Sequence, residues 1–358
     1  ATRLFVLRAM AAARLKNPGV KWDEAFHEIL EEADPDLAIA AAEAVRAQPD
    51  KMRDGLSHAL LRAASRGENS PAARVALLDA VRASSLDLQP EELQMLRAHL
   101  APEVDARLRA SAARLVGSAR PTAETQRNLI ENIRTAGPFE LSKLLGAFDS
   151  CQDEALGILL VDALAQAPGL SSLGPGGLRS HLGKFPAAVL AKAEPLLASL
   201  GADPRAQRAR LDELAARIDS GDVRRGHTIF NSPKAGCVTC HAMGYVGGTL
   251  GPDLTRIGQI RTERDLLEAI VFPSASFVRS YEPTLVTTKG GEIYNGNVRE
   301  DSGETLLLGI GAGAEVRIAR SDVAEMQPGM VSLMPQGFDQ ILTPQELADV
   351  VAFLKAAR

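Results

Sequence analysis

Cys237-Val238-Thr239-Cys240-His241 decides how the C-terminal part of this 358-residue chain is read. C-x-x-C-H is the attachment signature of a c-type haem. Two thiolates add across the haem vinyl groups, and a two-residue gap on a short helical turn sets their sulfurs at the vinyl separation. The histidine that follows then lies under the iron as proximal ligand, with one neutral imidazole nitrogen to coordinate it. A zinc site requires four ligands, usually from a second Cys/His pair, and the only other cysteine is Cys151, far upstream. A thioredoxin-like dithiol requires a strand before the motif, and it leaves His241 idle. One covalent haem c on Cys237 and Cys240, with His241 on the iron, is the expectation.

The flanking sequence extends this reading. Asp222 to Asn231 reads as a short helix that puts Gly226 and Phe230 on one face. Gly251-Pro252-Asp253-Leu254 is a turn followed by a return to helix. Thr343-Pro344-Gln345-Glu346 is a capping box with proline at the first helical position. It opens a terminal helix with Leu347, Val350, Val351 and Leu354 in one apolar stripe and Phe353 at its edge. In these features the sequence resembles a class I cytochrome c domain. The resemblance implies that the first and last helices cross at the glycine and an aromatic residue. It also implies that the Pro252 carbonyl accepts the second ring proton of His241, which fixes the ligand's tautomer and basicity.

A sixth ligand is expected further along. Met330-Val331-Ser332-Leu333-Met334-Pro335 offers two thioethers. By the resemblance, the distal methionine stands directly before a proline, which names Met334 and leaves Met330 as runner-up. Met326 ranks below both, and Met243 is only two residues past His241, too close to reach the opposite haem face. Core filling is the competing role for any methionine.

His241 and Met334 are 93 positions apart, longer than the connection in compact class I cytochromes. Pro283 to Lys289, Glu292 to Glu300, Glu304 to Ile310 and Glu315 to Ala319 are short runs rich in Val, Ile, Leu, Thr and Tyr. Lys289-Gly290-Gly291, Asp301-Ser302-Gly303 and Gly311-Ala312-Gly313 separate them as hairpin turns. The pattern predicts a four-stranded antiparallel insertion over about 283–320. This layout resembles the haem-binding domain of planctomycete and verrucomicrobial multidomain proteins, with its β insertion and its S-L-M-P-x-G segment, here Ser332 to Gly337. Gly251 to Thr255, Phe272-Pro273-Ser274 and Tyr281-Glu282 match as well, and the resemblance covers about 221–358.

Residues 1–220 are rich in Ala, Leu and Arg and show almost no strand-like alternation. Asp34-Pro35, Ser70-Pro71, Ala101-Pro102, Arg120-Pro121 and Gly137-Pro138 read as helix starts. Pro35, Pro71, Pro102 and Pro138 recur at intervals of 36, 31 and 36 residues. Ile39 to Val45 and Val75 to Val81 fill similar slots after two of them. An irregular repeat of this size predicts an α-solenoid of stacked helix pairs, HEAT-like, that binds protein. The fold class expected is therefore mainly α, with domains at 1–220 and 221–358. Proteins of the resembled family often place such repeats before the cytochrome, and a β-propeller before those. No propeller pattern occurs here, so the chain is either a fragment or a shorter member.

The net charge of −5 is shared between the two parts, and no basic stripe points to nucleic acid. No segment has the length of a transmembrane span. Haem is attached to C-x-x-C-H outside the bacterial cytoplasm, so the expected location is periplasmic or otherwise extracytoplasmic, reached through a signal removed from the precursor. Cys151 reads as a buried structural thiol, with an intermolecular disulfide as the alternative. His27, His58, His99 and His181 read as surface or satisfied core residues, and His227 as solvent-facing. Arg256, Arg261 and Tyr281 read equally as haem-propionate contacts or as solvated surface. Together these features predict a non-enzymatic electron carrier, taking electrons from a dehydrogenase partner or missing domain. The alternative is a haem-based sensor whose repeats bind a partner.

Overall fold

The computed structural model describes residues 2–13, 19–32, 34–48, 50–81, 88–119, 121–201, 203–278, 280–290, 292–311 and 314–358. These are mainly helical, with a small antiparallel sheet region near the C-terminal end. Contacts group the chain into two units. One comprises Ala1–Val104, Leu108–Asn132 and Lys143–Ser150; the other comprises Asp105–Arg107, Ile133–Ser142 and Cys151–Arg358. The helices between Glu154 and Ala215 thus group with the C-terminal part, although the sequence suggests a division at 220/221.

In the first unit the helix Pro35–Arg46 is apolar nearly all round. Ala38, Ala40, Ala41, Ala42, Ala44 and Val45 are all buried. It packs against the helices Thr2–Ala13, Val20–Leu30, Asp50–Ser65 and Pro71–Ala80, which explains why small side chains occupy so many of its faces. Asp34 and Ser70 cap the two proline-led helices, accepting from backbone N–H groups that have no partner within the helix. Asp79 is buried between the guanidinium groups of Arg46 and Arg114. Burial and the nearby Arg46 and Arg53 push Arg114 down to about 10, so it still carries its charge at neutral pH.

Two expected helix starts are displaced. Ala101 to Val104 form a turn, and the next helix is Ala106–Ser118, because the Asp105 carboxylate accepts the Arg107 N–H and is the better cap. Pro138 likewise sits in a turn ahead of Leu141–Leu145. Arg120 lies outside the described residues, and the helix after Pro121 runs Ala123–Thr135. Pro90 opens Pro90–Ala98 with a Gln89/Glu92 capping box, a start the proline spacing did not suggest.

In the second unit Val223–Phe230 crosses Pro344–Ala356. A Cβ on Gly226 would lie 1.9 Å from the Asp349 carbonyl oxygen, so only glycine admits this approach. The Phe230 and Phe353 rings meet beside it, with centroids 5.4 Å apart, and exposed His227 sets its ring edge-on to Phe353. Asp349, buried in the same crossing, accepts from the Asp222 N–H at 2.8 Å and from the Arg225 guanidinium at 2.7 and 2.9 Å. Burial alone would raise this carboxyl. Its bonds to Arg225, the Asp222 N–H and Gln345 more than offset that and hold it below the ordinary carboxylate range. The core around the crossing also takes in Leu211, Leu214 and Phe139 from upstream, and Phe139 meets Phe338 edge-on at 5.8 Å.

Strands β1 (Ala242–Met243) and β2 (Val246–Gly247) form a small hairpin. Five further strands make one antiparallel sheet: β3 (Thr284–Thr288), β4 (Ile293–Asp301), β5 (Thr305–Gly311), β6 (Ala314–Ala319) and β7 (Val323–Pro328). Their order is β6-β5-β4-β3-β7. The four expected strands are present, and β7 is an addition that pairs with β3. It is an edge strand in which only Val323 and Met326 are partly covered, and it ends on a proline. That pattern has no period of two to read. Gly291 and Ala312-Gly313, from two of the expected turns, lie outside the described residues.

Candidate functional site

The second unit contains a cleft with a cavity volume of about 210 Å³, lined by side chains from separated parts of the sequence. Cys237, Cys240 and His241 line it together with Leu250, Gly251, Pro252 and Leu254. Met334, Pro335 and Phe338 also line it, as do Leu266, Ile270, Val350 and Leu354 from the helices.

The cysteine segment is short and self-contained. Cys237–Thr239 is one turn of 3-10 helix, and the His241 N–H donates to the Cys237 carbonyl at 3.0 Å. Gly251 N–H donates to the Cys240 carbonyl at 2.8 Å and Leu254 N–H to the Ala242 carbonyl at 2.9 Å, folding the Gly251-Pro252 turn back over the motif. His241 Nδ1 lies 2.8 Å from the Pro252 carbonyl oxygen. A carbonyl only accepts, so the proton sits on Nδ1, and Nε2 keeps its lone pair. Burial lowers the pKa of the imidazole while the Pro252 carbonyl works the other way; the net shift is downward, so the ring is neutral at pH 7. A Cβ on Gly251 would fall 2.4 Å from His241 Cε1, so the glycine is what lets the ring lie against this turn.

Cys237 faces the cleft yet is closely enclosed by protein atoms. Burial and the neighbouring Cys240 push its thiol up to about 12. A redox-active dithiol or catalytic cysteine depends on the opposite shift. Among the described residues no group of three or more His, Cys, Asp and Glu side chains comes together as a metal site. Two thiols, one neutral imidazole and one thioether meet in a mostly apolar cleft, whose lining also includes Arg261, Asp265, Glu268, Tyr281 and Asn297. That set fits a porphyrin-held iron better than a bare metal ion.

Of the four methionines considered, Met334 lines the cleft. Met330 is 80% exposed, Met326 packs against the sheet core, and Met243 lies on β1. The Met334 N–H donates to Ser332 Oγ at 3.1 Å, and the Ser332 N–H donates to Ser274 Oγ at 3.1 Å, in the turn after Phe272. Arg261 and Tyr281 line the cleft; Arg256 lies instead in a shallow surface depression with Tyr245 and Ile260. None of His27, His58, His99, His181 and His227 lines the cleft, and Cys151 is buried elsewhere.

Phe139 and Asn297 are among the cleft-lining residues that the sequence expectations did not include. Phe139 carries no local signal, since it arrives from nearly a hundred residues upstream of the motif. Asn297 does carry one: Asn295-Gly296-Asn297 is a poor β-former in the middle of a strand. No helix among the described residues is long and apolar enough to cross a membrane. Comparison with protein-family models finds none that matches this chain, and no curated protein matches it either.

Proposed function

We propose that this chain is a monohaem electron-transfer protein. Cys237 and Cys240 hold one haem c through thioether bonds, His241 is the proximal ligand and Met334 the distal one. The observation that carries the reading is the meeting of all four side chains in one mostly apolar cleft. When bound, the haem supplies one-electron chemistry between ferrous and ferric iron. The protein's part is to anchor, orient and shield. Pro252 fixes the His241 tautomer with Nε2 available to the iron. Leu254, Leu266, Ile270 and Val350 exclude water, and Met334 offers a thioether that favours the ferrous state.

In this reading residues 221–358 form a class I-like cytochrome c fold with a β insertion. The upstream helices are HEAT-like repeats that offer faces to a protein partner. The electron donor is a dehydrogenase, in another protein or in a domain of a longer chain. Covalent attachment places the protein in the periplasm or another extracytoplasmic space.

Absorption spectra of the purified protein, oxidised and reduced, test this directly. Haem is expected to stay attached in acid and organic solvent, because thioether bonds do not depend on folding, and Cys237→Ala with Cys240→Ala is expected to abolish that retention. Zinc in place of iron in the purified protein would sink the proposal.

A further inference from the structure

Strand β4 reaches out of the sheet to two loops far apart in sequence. Asn297 is 4% exposed and donates from Nδ2 to the Leu250 carbonyl at 3.0 Å, one residue before the Gly251-Pro252 turn that holds His241. Two positions earlier, on the same face of the strand, Asn295 donates from Nδ2 to the Val331 carbonyl at 3.0 Å, in the segment that leads to Met334. Arg299 hydrogen-bonds the Thr249 carbonyl, and it falls where the β4–β5 register shifts between Val298 and Glu300. A bulge of this kind re-aims a side chain, here onto the same loop as Asn297.

The sheet is also shaped to the loop. Gly309, paired across from Asn297, leaves room for Leu250, whose Cδ1 would lie 3.1 Å from a Cβ there. A strand that needed only to complete its own sheet would not place two asparagines and an arginine on backbone carbonyls outside it. Amides are poor β-formers, and a buried amide is costly unless its bonds are made. The Oδ1 atoms of both asparagines have no hydrogen-bond partner among the described residues. These side chains therefore do more for the loops than for the strand.

We propose that β4 is a strut that sets the spacing between the histidine loop and the methionine loop, with Asn297 and Asn295 as its positioning residues. This rests on the haem reading only for its consequence, the firmness with which Met334 is held. The strut itself is a mechanical link between residues 249–254 and 329–335, and it is testable without haem.

The experiment compares the full chain with Asn297→Ala, Asn295→Ala and Val298→Ala, the last a control on the opposite face of the strand. Hydrogen exchange is followed at two groups of amides. Gly251 and Leu254 report the histidine loop, and Gly329, Ser332 and Met334 report the methionine loop. A strut predicts that each asparagine substitution speeds exchange in both loops by about fivefold, the effect of one hydrogen bond, while Val298→Ala leaves both unchanged. In haem-loaded protein, the imidazole concentration that half-displaces the methionine is expected to fall by a similar factor in both asparagine variants. Should Asn297→Ala unfold the sheet, Asn295→Ala at its more exposed end carries the test. Exchange that rises only in the loop each asparagine touches, or that rises equally in Val298→Ala, would overturn the strut. Wild-type protein without covalent haem would overturn the functional reading, and the exchange results would still decide the strut.

Discussion

The two walls of the cleft are built on opposite plans. The histidine wall is a single stretch from Cys237 to Leu254, and most of the backbone–backbone bonds that shape it begin and end within that stretch. The methionine wall is assembled from a distance. Gly329 N–H donates to the Pro283 carbonyl at 2.8 Å, Ser332 N–H to Ser274 Oγ, and the Val331 carbonyl accepts from Asn295. The histidine wall carries most of its own geometry and takes only the Asn297 and Arg299 side-chain bonds from the sheet, whereas the methionine wall borrows its geometry from the turn after Phe272 and from the sheet. A mostly local wall has few outside supports to lose, whereas an assembled wall loosens with any of its supports.

The sharpest way to break this contrast is at Met334, the proposed thioether ligand. Met334→Ala is expected to remove the near-infrared sulfur-to-iron band of the ferric protein completely. It should also open the sixth position to added ligands and lower the reduction potential, because a thioether favours ferrous iron and its loss leaves water or a harder ligand. Covalent haem should be retained, since the histidine wall is untouched. Met330→Ala should leave the band in place, because Met330 projects into solvent. A band that survives Met334→Ala and vanishes in Met330→Ala would reverse the assignment. A band missing from wild type would remove methionine ligation altogether.

What could be read in the sequence divides along the same line. The C-x-x-C-H motif, the Gly251-Pro252 turn and the Thr343 capping box are short patterns in which each residue's partner lies a few positions away. Four strands were legible because their apolar runs are separated by turn residues. Strand β7 was not, since an edge strand exposed on both faces has no alternation to show. The displaced starts at Pro102 and Pro138 reflect a rule that proline permits a helix start but does not compel one when Asp105 is the better cap. The intrusion of Phe139, Leu211 and Leu214 into the C-terminal core is a long-range packing choice, invisible to any local pattern.

That intrusion supplies the next largest effect. Phe139 is 7% exposed, lines the cleft and packs edge-on against Phe338, three residues after Pro335. Phe139→Ala is expected to cost about 3–5 kcal/mol in denaturant unfolding. In the loaded protein it should weaken the methionine band more than it affects haem retention. Residues 221–358 alone, matured with haem, test the same dependence from the other side. They are expected to fold and keep haem but to unfold at lower denaturant than the full chain, because Phe139, Leu211 and Leu214 are absent. A fragment without near-ultraviolet circular dichroism would show that the upstream helices are integral to this core. Equal stability of fragment and chain would show that they are dispensable.

The smallest expected effect lies in the helix crossing, which both walls share as a floor. Asp349 ties Val223–Phe230 to Pro344–Ala356 through the Asp222 N–H and Arg225, and Gln345 is a third partner at 3.0 Å. Arg225 is more than half exposed, so solvent screens its share and the backbone bond carries proportionately more. Asp349→Asn keeps the shape of the side chain but removes the charge that strengthens these bonds, at a cost of about 1.5 kcal/mol near neutral pH. The sign of the pH dependence follows from the lowered carboxyl. A group whose folded pKa lies below its unfolded value contributes fully above the unfolded value, about 3.9 for aspartate, and loses its contribution as pH falls through the folded one. The stability gap between wild type and Asp349→Asn should therefore be constant from pH 7 to about pH 5, narrow below about pH 4 and close in stronger acid. Urea titrations of both proteins across that range decide it. A gap that stays constant into strong acid would mean that shape at the crossing matters and the charge on Asp349 does not.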